Sequence, residues 1–434
     1  MIPYNNCYTK SYLSLAKLIS DEYHVTEVND VKIFLRFLFY KEYGINLDKS
    51  TDFEKIQFRN LDILTEDTIY RAITYNNLEA FISFTERAGF NKDQTLESSL
   101  FPYQCYFEKY TLLDLCCYYG AADCFKFLRT KFNSEITETC LNLSFLGGNQ
   151  EIMSECMKHQ KPDGITMRYA IISHNIDFVT FLVNEYNIEI RLSYCINYNN
   201  LESFLVYFDQ TNDINKCFIN SVNFNFPPLL EYFISLGANI NEKDKNGNTA
   251  LHNVVAWNYD EMAEVLISHG ANINIKNEFE KTALDITAAR NYKEMAEFLI
   301  SHGAKINEKT KNGSTALHTA ARNNSKEMVE FLISHGAKIN EKTKNGSTAL
   351  HTAARNNSKE MVEFLISHGA KINEKTKNGE TALHIAAINN SKETVEVLIA
   401  HGANINEKNN NGKTALDLAE AWNYKEMTEI LISQ

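Results

Sequence analysis

The sequence predicts an all-α fold, a solenoid of stacked helix pairs with short β-hairpin tips in its C-terminal half. Three observations predict it. Residues 301–333 reappear unchanged as residues 334–366, and a fixed period of this length is the signature of a repeat architecture. Landmarks continue outward on the same count: Thr249, Thr282, Thr315, Thr348, Thr381 and Thr414 each open a Thr-Ala-Leu step, and Gly237, Gly270, Gly303, Gly336, Gly369 and Gly402 each close the unit before. Upstream, a weaker recurrence places an acidic residue ahead of an apolar run at Glu79, Asp123, Glu151, Asp177 and Glu202, at intervals of 44, 28, 26 and 25.

Residues 1–66 carry helical patterns without a repeat. Tyr12, Leu13, Leu15, Ala16 and Ile19 suit one amphipathic helix, and Val31, Ile33, Phe34, Leu35, Phe37 and Leu38 a mostly buried second. This stretch is expected to be a helical cover over the first end of the stack. In residues 67–238 the five acids suit the first turn of a helix, where the macrodipole favours negative charge. Residues 73–79 and 196–202 differ at one position. A spacing of about 26 instead of 33 removes roughly the length of a hairpin tip. The stretch therefore reads as about six helix pairs with the finger trimmed away. Pro227-Pro228 opens a helix, as proline suits a first helical turn, and Gly237 hands over to the regular array.

The regular unit builds from its own residues. Asn312-Gly313 calls for a tight hairpin tip, because both residues tolerate positive φ. Residues 316–322 form a short first helix whose small Ala320 and Ala321 let a neighbour approach. Asn323-Asn324-Ser325 stops it, since Asn tolerates the left-handed conformation. Asn324 with Glu327 reads as a capping box for a second helix with Met328, Phe331 and Leu332 on one face. Gly336 ends that helix, and Ile339 anchors the run to the next tip. One unit buries too little apolar surface to fold alone and must stack on copies of itself. In the sixth unit Glu420 and Thr428 stand where the fifth has Ala387 and Val395, a polar substitution suited to a terminal cap.

The period of 33 together with Thr-Ala-Leu-His resembles the ankyrin repeat, whose usual signature is Thr-Pro-Leu-His. The resemblance covers residues 239–434 as six repeats and implies an ankyrin-type α-solenoid that binds other proteins. It also implies that the His of Thr-Ala-Leu-His orders the entry to the first helix, and that Arg322 and Arg355 lie on a concave face. Thr348→Pro is expected to be tolerated, and Leu350→Ala to cost ~2–4 kcal/mol as a buried truncation. Residues 112–121 and 146–152 resemble, more loosely, the divergent ankyrin-like domain that precedes ankyrin arrays in some large protist families.

The formal net charge of −12 is uneven: residues 237–434 hold 23 basic against 25 acidic side chains, leaving 20 against 30 upstream. This argues against nucleic acid as a partner. All nine cysteines precede residue 218; the odd count and irregular spacing favour reduced, buried thiols over bridges. No signal peptide and no membrane span are read, which points to the cytoplasm with the nucleus left open, and a monomer is expected.

Nine of the twelve histidines sit in the array at two fixed phases. Stacked helices lie ~8–10 Å apart, far beyond the ~2 Å that a shared metal needs, so a structural use is preferred. Asp285 and Asp417 replace the first set in units two and six and should loosen them. Cys105, Cys116, Cys117 and Cys124 give no Cys-x-x-Cys pair, and His24, His159 and His174 have no ligand-like neighbours. There is no Gly-rich phosphate loop, Gly-x-Ser-x-Gly or His-Glu-x-x-His. No catalytic residue, cofactor or metal site is expected. The glycosylation-like triplets at Asn142, Asn312 and Asn345 read as turn chemistry.

Candidate partner-binding residues remain. Lys309, Lys311, Lys342, Lys344, Lys375 and Lys377 recur at the fingertips as either a basic strip for an acidic peptide or, since Glu308, Glu341 and Glu374 alternate with them, a solvated mixed-charge surface, the preferred reading. Arg322 and Arg355 close the first helix of units three and four. Trp257 with Tyr259, Tyr292, Ile388, and Trp422 with Tyr424 replace the Arg-Asn-Asn-Ser of those units and are either interface anchors or packing on neighbouring loops. The expected function is a non-catalytic scaffold binding proteins on the concave face and fingertips. Its rivals are an adaptor whose first half docks a larger machine such as a ubiquitin ligase, and an enzyme with a cleft in residues 1–236.

Overall fold

A computed structural model describes residues 9–22, 25, 28, 33–47, 51–53, 67–96 and 109–433. Val31, His24, Cys7 and Cys105 lie outside these. The chain forms two compact units, Met1–Asn212 and Asp213–Gln434.

In the second unit the helices Ile214–Ser221 and Pro227–Ser235 are followed by six helix pairs on the sequence period. Unit three shows the logic. Its first helix, Ala316–Arg322, starts where the Thr315 amide donates to His318 Nδ1 at 3.2 Å and the Thr315 hydroxyl pairs with the same nitrogen at 3.0 Å. Asn324 then turns the chain at φ 56°, and the second helix, Lys326–Ser334, buries Met328, Val329, Phe331 and Leu332. The capping box expected at Asn324 and Glu327 does not form. A left-handed residue cannot also take the extended backbone of an N-cap, so Ser325 holds that position without a side-chain bond.

The fingertip also differs from the expectation in one respect. Gly313 donates to Thr310 O at 2.7 Å and Thr310 to Ser314 O at 2.8 Å. Gly313 takes φ 78°, whereas Asn312 is not among the residues with positive φ. The tip is a three-residue loop, 311–313, whose last residue is left-handed. Neighbouring tips join by one backbone bond, Lys344 N to Asn312 O at 2.9 Å. Among the described residues the sole ladder is Thr95–Leu96 with Tyr110–Thr111.

Unit two places Glu280, at φ 54°, where the other five tips carry glycine. A side chain in this region costs about 1 kcal/mol, so Glu280→Gly is expected to stabilise the chain by ~1 kcal/mol. A denaturant titration in which the variant's midpoint stays put or falls would reject this.

Leu350 is buried, which keeps the ~2–4 kcal/mol expected for Leu350→Ala; equal melting of this variant and wild type would count against the core described here. Thr348→Pro, by contrast, is not tolerable. The Thr348 amide donates to His351 Nδ1 at 3.1 Å and its hydroxyl pairs there at 2.8 Å, and proline supplies neither group. The proline of the usual signature corresponds to Ala349, the first helical residue.

Among its described residues the first unit has, from Ile69 onward, five helix pairs: Ile69–Thr74 with Leu78–Thr85, Leu112–Tyr119 with Ala122–Phe132, Glu138–Gly147 with Gln150–His159, Gly164–Ile172 with Ile176–Tyr186, and Leu192–Asn197 with Leu201–Thr211. Glu79, Asp123, Glu151, Asp177 and Glu202 all fall in the first turn of a second helix. The turn inside each pair is kept, with Asn76, Gly120, Gly148, His174 and Asn199 left-handed as Asn324 is in the array. From the second pair onward the finger has gone, whereas the ladder of Thr95–Leu96 with Tyr110–Thr111 lies between the first two pairs. Residues 160–163 connect one pair to the next, against 269–282 between two repeats. Asn142 lies within a helix, not in a turn as expected.

Closer approach accompanies the shorter connection. A Cβ on Gly147 would stand 2.1 Å from Cys117 O. Earlier in the chain the helices Thr9–Glu22 and Ile33–Tyr43 are joined around Phe39 and Leu47. Ala16 packs there, whereas Ile19 is exposed rather than on a buried face.

Candidate functional site

Three rows of polar side chains in the array join one unit to the next. His252, His318, His351 and His384 accept from the N-cap threonine amide at Nδ1, so the ring proton is on Nε2. That nitrogen donates to Lys281 O, Ser347 O, Glu380 O and Lys413 O of the following unit at 3.1–3.2 Å. Burial holds all four imidazoles below their usual pKa, His351 at about 4.

Asparagines form a second row. Asn274, Asn307, Asn340 and Asn373 each donate to the glycine carbonyl that closes their own unit, at 3.0–3.4 Å, and accept the amide two residues further on, at the start of the next unit, at 2.8–2.9 Å. Sequence reasoning missed these residues, although an Asn retained at one phase through the array is a visible signal.

A third row runs through the mixed-charge surface of Lys309, Lys342 and Lys375 and links one unit to the next. Their ammonium groups donate to Lys342 O, Lys375 O and Lys408 O at 3.0, 3.1 and 3.2 Å and pair with Glu341, Glu374 and Glu407 at 2.7, 2.5 and 2.5 Å. These lysines pull the three carboxyls below the usual glutamate range. Lys276 likewise donates to Lys309 O at 2.9 Å and pairs with Glu308 at 2.8 Å. The spacing was legible, but the sequence alone does not show the unit-to-unit distance.

Unit two departs from the first row. Asp285 accepts from the Thr282 amide and hydroxyl at 2.9 and 3.0 Å, preserving the helix entry, but has no second donor for unit three. Burial raises its pKa to about 6. Asp417 repeats the arrangement in a more open setting, and the Thr414 amide and hydroxyl hold it below the usual range. The degenerate pairs retain the device: Thr111 and Asp114 form a capping box, and Cys140 Sγ donates across to Asp114 Oδ1 at 3.1 Å.

The candidate partner-binding residues face outward to different degrees. Lys311, Lys344 and Lys377 are exposed at the tips, and Arg322 and Arg355 at the first-helix ends. Trp257 and Trp422 are each 60% exposed. Tyr259, Tyr292 and Tyr424 occupy the N-cap position of the second helix and are half-buried, as is Ile388. Sequence reasoning missed Phe279, 60% exposed at the tip of unit two where the other tips have Asn.

Upstream, Lys126, Arg129, Glu151, Glu155 and Lys158 line a groove of about 330 Å³ between the helices Ala122–Phe132 and Gln150–His159. Lys126 pairs with Glu151 at 2.7 Å and Lys158 with Glu155 at 2.8 Å, while His159 lies 3.2 Å from Arg129 and 3.4 Å from Glu155. Cys116, Cys117, Cys124, Cys140, Cys156, Cys195 and Cys217 are free and buried. Burial pushes Cys124 and Cys217 up to about 12. Among the described residues no three His, Cys, Asp or Glu side chains converge as metal ligands, and no helix is long and apolar enough to cross a membrane.

Comparison with known families finds ankyrin repeats over residues 218–310, 304–376 and 371–434. It also finds a domain of unknown function, DUF3447, over residues 132–207. No curated protein gives a match.

Proposed function

We propose a function that starts from what the chain is: it belongs to the ankyrin-repeat family, and its role is to bind other proteins without turnover of its own. One observation carries this reading. The array's histidines of the Thr-Ala-Leu-His step, its asparagine row and its inner lysines are engaged in holding units together, while Trp257 and Trp422 stand 60% exposed. A large exposed aromatic is a favoured anchor for a partner surface. Tyr259, Tyr292, Ile388 and Tyr424 then shape the rim around the tryptophans, and Lys311, Lys344, Lys377, Arg322 and Arg355 set the charge that a partner meets. Affinity would come from a few anchors within many modest contacts.

Capture by the full-length chain from its native cell, compared with a Trp257→Ala/Trp422→Ala variant, tests this. The expected result is one or a few proteins retained by wild type and weakened at least tenfold for the variant, about 1.4 kcal/mol or more. Equal retention by both chains would remove the tryptophans from the interface.

A second reading rests on the division into two units, of which residues 213–434 carry the repeats. As an adaptor, the chain would dock a larger assembly such as a ubiquitin ligase through its first unit and recruit a partner through its second. Deletion chains that capture the same single protein would count against it.

A further inference from the structure

Unit two carries the most altered fingertip. Where four sister tips read Lys-Asn-Gly and the sixth unit's reads Asn-Asn-Gly, it reads Glu278-Phe279-Glu280. Phe279 is 60% exposed, both flanking carboxylates are exposed, and Glu280 sits at φ 54°, a conformation that glycine fills in the other five units.

The backbone beneath is held from every side. Glu278 N donates to Asn246 O of unit one at 3.1 Å, and Phe279 O accepts from Lys311 N of unit three at 3.1 Å. Asn277 Oδ1 accepts from Phe279 N and Lys281 N, both at 3.0 Å, and Asn277 Nδ2 donates to Asn248 Oδ1 at 2.8 Å. An apolar ring on so fixed a backbone loses little freedom when it is covered. The charge beside it is inverted relative to the neighbours, because Lys245, Lys311, Lys344 and Lys377 hold the Glu278 position in units one, three, four and five.

We infer that the unit-two fingertip is a dedicated docking point for a basic partner segment, in which an apolar residue covers Phe279 and flanking Lys or Arg side chains pair with Glu278 and Glu280. The inference rests on the protein-binding reading and assigns it a site and a partner chemistry. An acidic segment is disfavoured, since it would set like charges against both glutamates.

The test selects phage-displayed random peptides on the full chain and measures the selected peptides against the variant Glu278→Lys/Phe279→Asn/Glu280→Gly. This variant rebuilds the tip that its neighbours already use, so it is not expected to disturb folding. The expected outcome is a set of peptides with Lys or Arg around an apolar residue, bound at least tenfold more weakly by the variant and weakened on wild type by added salt. Peptides without net positive charge, or peptides bound equally by the variant, would overturn the inference. If equally bound peptides are lost from a Trp257→Ala/Trp422→Ala chain, the broader protein-binding reading survives while the fingertip site falls. Recovery of no peptide above background overturns the fingertip site as well.

Discussion

Gly147→Ala is expected to destabilise the first unit by ~4 kcal/mol, a fall in its melting temperature of roughly 10 °C. In an open helix the same exchange would stabilise by up to ~1 kcal/mol. The sign reverses because the added Cβ would lie 2.1 Å from Cys117 O, 2.8 Å from Gly120 N and 3.0 Å from Tyr118 O. All three are backbone atoms of the neighbouring pair and cannot swing aside as a side chain could. The two helices would have to separate, and the effect should exceed the ~1–3 kcal/mol usual for overpacking. Gly148→Ala is the control, since that position has φ 66° and nothing within 4 Å; it should lose only ~1 kcal/mol. Thermal unfolding of the full chain decides the matter, and equal melting of the two variants would mean that the helices do not approach this closely.

Acidification should loosen the array well above the pH at which its carboxylates protonate. The four Thr-paired imidazoles are held below the ordinary value of 6.5, His351 at about 4. As pH falls below 6.5 the unfolded chain takes up protons that the folded one refuses. The unfolded state is then favoured, and stability declines until the folded pKa is reached. For His351 alone the shift is worth ~3 kcal/mol. Protonation also puts a hydrogen on the Nδ1 that accepts from threonine. Asp285 works the other way: its folded pKa of about 6 lies above 3.8, so unit two gains stability as pH falls from about 6 towards 3.8. Glu341 and Glu374, held below 4.5, add their losses only in stronger acid. Between pH 6.5 and 5 the histidines should therefore dominate. Melting that is unchanged or higher at pH 5 than at pH 7 would refute this, and Asp285→His should steepen the acid loss.

The repeat made much of the second unit readable before any coordinates. Residues 316–322 form the expected first helix because Thr315 marks its start and Asn324 its end. The five upstream acids were readable for a similar reason, since the first turn of a helix favours negative charge whether or not the finger survives. Competition hid other features. Asn324 could cap or turn, and the turn wins because each pair needs one left-handed residue there. Lys309 looked like a solvent-facing charge because its partner, Glu341, belongs to the next unit. Thr111 and Asp114 repeat the spacing of Thr282 and Asp285 but stand alone without a period to expose them. Among the candidate anchors, the tryptophans face outward while the tyrosines are partly covered. Phe279 carries no helical or repeat signal, because it sits in the one tip that lacks Asn-Gly.

The histidine and lysine rows share a direction: each side-chain N–H group donates forward, to a carbonyl at a constant offset in the following unit. Such a chain of like connectors has no preferred number of links. Because residues 301–333 and 334–366 are identical, excising or copying one of them returns every donor to an equivalent acceptor. Length can therefore change by whole modules in a single genetic event without a compensating mutation, and the reach of the array is open to selection independently of its surface chemistry.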